Sequence, residues 1–179
     1  MMSKRNQSKL VALGGICSAL SVVLLLVSSI IPLATYIAPM LAGIALMPLK
    51  EEMGSKSAFT AFIACSVLSV LLVPEKECVM MFVFLLGWYP IAKDYIDRQK
   101  SRFFKLIEKL VIFNVSITAG YFVLIKLFSM GYILDEFGGM VLILTTLALG
   151  NVAFIVYDIA LTVFRKVYYF KIRKMFGLK

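Results

Sequence analysis

Six apolar runs, each close to the length that crosses a bilayer, constrain this chain more than anything else in it. They cover about 10–31, 33–49, 57–73, 78–96, 106–130 and 140–164. A transmembrane helix needs about 20 consecutive, mostly apolar residues, within a range of about 17–25. The separators are turn and charge signals: Pro32, KEEMGSK at 50–56, PEKE at 74–77, DRQKSR at 97–102 and LDEFGG at 134–139. Hydrophobic residues make up 61% of the chain, against about 45–50% in a soluble domain by a broader count that includes glycine. The pattern predicts an all-α integral membrane protein, a single bundle of six transmembrane helices over residues 1–179. No stretch is long or polar enough for a separate soluble domain. The second and third runs are short, which implies little tilt or ends buried in protein.

The net charge of +9 could suggest a nucleic-acid partner, but its distribution points to a membrane. With the N-terminus placed in the cytoplasm, Lys and Arg fall on one side in four groups. Three precede or open the first run (Lys4, Arg5, Lys9) and two lie in the second connection (Lys50, Lys56). Six surround the fourth connection (Lys93, Arg98, Lys100, Arg102, Lys105, Lys109) and six lie between Arg165 and Lys179, so 17 of the 19 share a side. Only Lys76 and Lys126 lie toward the other side, with Glu75, Glu77, Asp135 and Glu136. The positive-inside rule then predicts an even number of spans with both termini cytoplasmic. The tail RKVYYFKIRKMFGLK, residues 165–179, reads either as a juxtamembrane segment on anionic lipid or as a topology signal alone. The first run is longer than the about 7–15 residues of a cleaved signal core and is expected to be retained.

Most enzyme chemistry is missing. The chain has no histidine, so it has no H-E-x-x-H pair, and the commonest metal ligand is absent. No G-x-S-x-G elbow or G-x-x-x-x-G-K-[ST] phosphate loop occurs. The three cysteines have no metal-site spacing, and an odd count argues against a disulfide framework. Asp94 and Asp97 are spaced to chelate a cation, but among Lys93, Arg98 and Lys100 they read better as a solvated or headgroup cluster. Glu51–Glu52, beside Lys50, reads as loop. The chain is expected to be no enzyme and to carry no metal or cofactor.

Polar groups inside the runs are costly in a membrane and are usually functional or paired. Asp158 is the clearest, in the inner half of the sixth run, with Asn151 two turns earlier on the same helical face. Lys109 and Lys93 are its candidate partners. A structural ion pair, Asp158 with Lys109, and a role in substrate or ion handling both fit. At about 1.5 Å per residue, Trp88, Asn114, Thr118 and Asn151 all fall near mid-membrane. They are the candidate substrate-binding residues, expected to border one cavity. Trp88 lies in the stretch Gly87-Trp88-Tyr89-Pro90. Pro90 removes a backbone donor and crowds the carbonyl of Leu86, so a bend is expected there. Breaks at this depth are tolerated where protein or a cavity satisfies the backbone, and they often mark transporter binding sites. A kink needed only for packing is the plainer alternative.

The N-terminal half carries small residues instead. Ala12, Gly15 and Ala19 form one stripe of the first run, and Gly14, Ser18 and Ser21 form its neighbour. Ala38, Ala42, Gly43 and Ala45 follow in the second run, then Ala58, Ala61 and Ala64 in the third. Small residues at this spacing let helices approach closely, either within the chain or against a partner protein. Six spans with Gly15-x-x-x-Ala19 in the first helix resemble the substrate-binding S components of energy-coupling factor transporters. The likeness covers the whole chain in span count, length and topology. Its one motif departs mildly, since the family typically has Ala-x-x-x-Ala. The resemblance implies that the N-terminal helices, at Ala12, Gly15 and Ala19, dock a transmembrane coupling subunit that works with ATPase subunits. It implies that the C-terminal helices and outer loops hold a vitamin-like small molecule, the lack of histidine disfavouring nickel and cobalt. The expected location is the bacterial plasma membrane, multi-pass. A membrane scaffold or assembly factor of the rod-complex type, without a pocket, is the rival reading. A lipid-metabolic enzyme comes third, because paired catalytic groups are missing.

Overall fold

The computed structural model describes residues 4–31, 34–98, 101–127 and 140–172. Its helices are α1 (Lys4–Val27), α2 (Ala34–Ala45), α3 (Met47–Met53), α4 (Ser55–Leu72) and α5 (Lys76–Met81), followed by a π-helical stretch at Phe82–Leu86. Then come α6 (Tyr89–Ile96), α7 (Arg102–Leu127), α8 (Met140–Val167) and a second π-helical stretch at Tyr168–Ile172. No strand occurs among the described residues. The separator at 134–139, with Asp135 and Glu136, lies outside them.

Among the described residues, five helical stretches are long and apolar enough to cross a membrane: Leu10–Val27, Ser55–Leu72, Lys76–Ile96, Phe103–Lys126 and Leu144–Lys171. The run at 33–49 is not a sixth continuous helix. Helix α2 stops at Ala45, Leu46 turns with its N–H on the Gly43 carbonyl at 3.2 Å, and α3 restarts at Met47. Pro48 accounts for the break, since it has no N–H to return and its ring crowds the carbonyl of Ile44. The separator at 50–56 is also more helical than expected, and the last helix runs on past the sixth apolar run into the tail. Lys50, Glu51, Glu52 and Met53 close α3, leaving Gly54 as the connector. The tail continues α8 to Val167 and on through the π-helical stretch to Ile172.

The chain forms two compact units, Met1–Tyr95 and Ile96–Lys179. In the first, α2 lies at the centre, packed on α1, α5 and the π-helical stretch, while α4 packs on α1 and α3. Its small side chains explain how: Ala38, Ala42, Gly43 and Ala45 are all buried, so neighbouring backbones can approach closely. Gly54 sits at φ +84°, ψ 168°, a conformation almost restricted to glycine, and this lets α4 begin at the very next residue and pack on α3. At the far end of α4, the Lys76 ammonium donates to the carbonyls of Val70 (2.9 Å) and Val73 (2.8 Å). A cation is well placed there, where a helix presents unpaired carbonyls.

The Gly87–Pro90 stretch follows from two local causes. Pro90 has no N–H to return to Leu86, and the chain answers with a wider turn in which the Gly87 N–H reaches the Phe82 carbonyl at 2.8 Å. Gly87 itself is a seat for aromatic rings. A Cβ at this position would lie 2.6 Å from Phe62 and 2.8 Å from Phe82, whose ring centroids are 5.7 Å apart. The second unit repeats the device. A Cβ on Gly150 of α8 would lie 2.9 Å from Phe113 of α7, and Phe113 packs on Phe154 with centroids 5.1 Å apart.

Candidate functional site

In the second unit the polar residues of α7 and α8 meet at two levels. At the upper level, Asn114 Nδ2 donates to Asn151 Oδ1 at 3.0 Å, and Asn151 Nδ2 donates back to Asn114 Oδ1 at 3.2 Å. Each amide spends its other N–H on its own helix, Asn114 on the Leu110 carbonyl (2.7 Å) and Asn151 on that of Leu147 (2.8 Å). Both donors of each side chain are thus used, and the pair is a closed clasp between the helices. Thr118, one turn from Asn114, is exposed and takes no part in it.

At the lower level, the Lys109 ammonium lies 2.8 Å from Asp158 Oδ2 and 2.7 Å from Asp97 Oδ1. The Lys109 and Asp158 side chains are only 13% and 17% exposed, so these two opposite charges meet in a poorly solvated place, where an unpaired one is expensive, while Asp97, 35% exposed, adds a second and better solvated carboxylate that leaves the triad with one net negative charge. Beside this triad a cavity of about 240 Å³ opens between the helices, lined by Lys105, Leu106, Lys109, Phe154, Ile155 and Asp158.

Asp94 and Asp97 do not act as a chelating pair. Asp97 serves Lys109, whereas Asp94 Oδ2 lies 2.5 Å from the ammonium of Lys50 in the first unit. Lys50 also donates to the Pro90 carbonyl at 3.4 Å, and its side chain is 5% exposed. A residue that reads as part of a polar loop therefore ties α3 to the interrupted helix. The one available signal was its place at the boundary of an apolar run. Trp88, half-buried in this unit, donates from Nε1 to the Phe84 carbonyl at 2.7 Å, one of the carbonyls in the π-helical stretch.

The two stripes of α1 face different ways. Leu13, Cys17 and Ser21 are buried, a Cβ on Gly14 would be 3.7 Å from Leu49, and the Ser18 carbonyl accepts from Cys65 Sγ at 3.6 Å. Ala12, Gly15 and Ala19 are exposed, and nothing lies within 4 Å of a Cβ built on Gly15. Around them Val11, Ile16, Leu20 and Val23 are also exposed. No protein-family model matches the chain, and no curated protein or solved structure is detectably similar to it.

Proposed function

We propose that this chain is the solute-binding membrane subunit of a small-molecule uptake transporter, energised by separate ATPase subunits through a transmembrane coupling partner. The observation that carries the reading is the interrupted helix from Lys76 to Ile96, with its π-helical stretch, aromatic seat at Gly87 and Trp88. Helix interruptions of this kind recur at binding sites because they free backbone groups and aim side chains into cavities. In this reading α2 and α3 together make the second of six crossings. Their apolar residues, 34–49, would extend about 24 Å at about 1.5 Å per residue, a short crossing that leaves Lys50, Glu51 and Glu52 at headgroup depth. Both termini then lie in the cytoplasm of a bacterial cell. The uncovered strip Ala12, Gly15, Ala19 on α1 supports the coupling partner, since a flat apolar face in lipid is where a second helix can approach.

One observation favours the rival reading of a scaffold. The Asn114–Asn151 clasp satisfies itself, as a purely structural polar pair does, and offers no free N–H to a solute. Native mass spectrometry of the chain purified from cells in rich medium separates the two. A solute-binding subunit retains a small organic molecule, and Trp88→Ala lowers its occupancy while leaving the helical content unchanged. A folded wild-type chain that carries no small molecule, alone or with co-purifying membrane proteins, refutes the transporter reading.

A further inference from the structure

We propose that the cavity between α7 and α8 is a binding site for one anionic phospholipid, held by its phosphate on Lys105 with the start of an acyl chain along Leu106, Phe154 and Ile155. The proposal rests on the membrane reading above but not on solute transport. At about 240 Å³ the cavity is smaller than the about 300–1,000 Å³ of sites that enclose a small molecule. It suits a ligand that inserts only part of itself. The walls are apolar on both helices, and Leu106 and Ile155 are also exposed outward, so a chain lying along the surface can enter from the side.

The charges select the headgroup. Lys109 is already answered by Asp97 and Asp158. Lys105, one turn away on the same face of α7 and half-buried, makes no ion pair or side-chain hydrogen bond among the described residues. Among the described residues the cavity therefore has the unpaired ammonium of Lys105 at its rim, while Lys109 behind it is shared by two carboxylates and has no charge to spare, so an anionic headgroup is held at the rim by Lys105 and not deeper. With the N-terminus of α7 at the cytoplasmic face, that ammonium stands at headgroup depth in the leaflet where anionic lipids concentrate. A phosphatidylcholine carries its own cation beside the phosphate and gains less from Lys105 than a net anionic lipid does.

The test uses the full chain in nanodiscs of equal phosphatidylglycerol and phosphatidylcholine, with retained lipid identified by native mass spectrometry. The wild type should retain phosphatidylglycerol with about five-fold enrichment over the bulk ratio, the worth of one lysine near an anionic surface. Lys105→Gln should return the ratio to that of the bulk, and Lys105→Arg should keep the enrichment. Ile155→Trp, which fills the cavity and leaves every charge in place, should lower the amount of lipid retained. Absence of enrichment in the wild type, or its persistence in Lys105→Gln, overturns the proposal. So does its loss in Lys166→Gln with Lys171→Gln, which would assign the effect to the basic end of α8. A chain released from membranes by alkaline carbonate refutes the membrane reading itself; an integral chain without enrichment refutes only the lipid site.

Discussion

Gly87 and Gly15 are both helical-region glycines in apolar segments, yet an added methyl should act on them in opposite directions. A Cβ on Gly87 would stand 2.6 Å from Phe62, where ordinary contact begins at 3.4 Å, so the ring has to retreat by about 0.8 Å. It has little room to do so, since Phe62 is buried and packs against both Phe59 (centroids 5.5 Å apart) and the buried Phe82 (5.7 Å). Overpacking of this kind costs about 1–3 kcal/mol. Gly15 has nothing within 4 Å. The greater helix preference of alanine over glycine, up to about 1 kcal/mol, acts at both sites and cancels in the comparison. Gly87→Ala should therefore be less stable than Gly15→Ala by about 1–3 kcal/mol. For a domain of this size that separates their melting temperatures by roughly 2–12 °C, at about 2–4 °C per kcal/mol. Thermal unfolding in bicelles, followed by circular dichroism and by the chain's single tryptophan, measures the difference. Phe62→Leu should restore part of the loss in Gly87→Ala. Equal melting temperatures for the two alanine variants, or no relief from Phe62→Leu, would refute the ring seat at Gly87.

Asn151→Leu removes both hydrogen bonds of the clasp and strands Asn114; with interhelical bonds in membranes averaging about 0.6 kcal/mol and reaching about 1.7, a loss of roughly 1–2 kcal/mol is expected in the same assay. Asp158→Asn should destabilise more than Asp97→Asn, because Asp158 is the better buried of the two partners of Lys109; a double-mutant cycle with Lys109→Met checks that the coupling is direct. Gly15→Leu with Ala19→Leu should leave the isolated chain folded, since the strip is uncovered, and should abolish co-purification of a coupling partner in pull-downs from membranes. A double variant that fails to fold would place the strip in internal packing instead.

Apolar run length made most of the helices legible, because it depends only on residues close in sequence. Partners distant in the chain were not legible in the same way. Lys50, with Glu51 and Glu52 behind it, carries the marks of a loop, and only its carboxylate partner in α6 makes it a buried helical residue. The stripes of α1 show the same limit: spacing reveals that small residues share a face, but not which face is covered. Leu49 and Cys65 cover Gly14 and Ser18, while Gly15 is left open. At Gly87 the bend was readable from Pro90, whereas the ring that requires a glycine comes from Phe62 on another helix. Asn114 and Asn151 were matched by depth alone. The two side chains do meet, but depth cannot show that the two amides spend their donors on each other.

The bond between Lys50 and Asp94 also bears on the order in which the chain can be assembled. The two residues are 44 positions apart, so at a synthesis rate of about 5–20 residues per second the lysine emerges roughly 2–9 s before its counter-charge. For a chain inserted as proposed, that ammonium has to wait among the headgroups, and α2 and α3 cannot settle to their final depth while it does. Helix α6 releases it by delivering the carbonyl of Pro90 from its first turn and the carboxylate of Asp94 one turn later. The first unit should then close in one late step, after α6 has left the ribosome. A protease site placed beside Met53 should remain cleavable in nascent chains stalled before Asp94 and become protected in those stalled well beyond it.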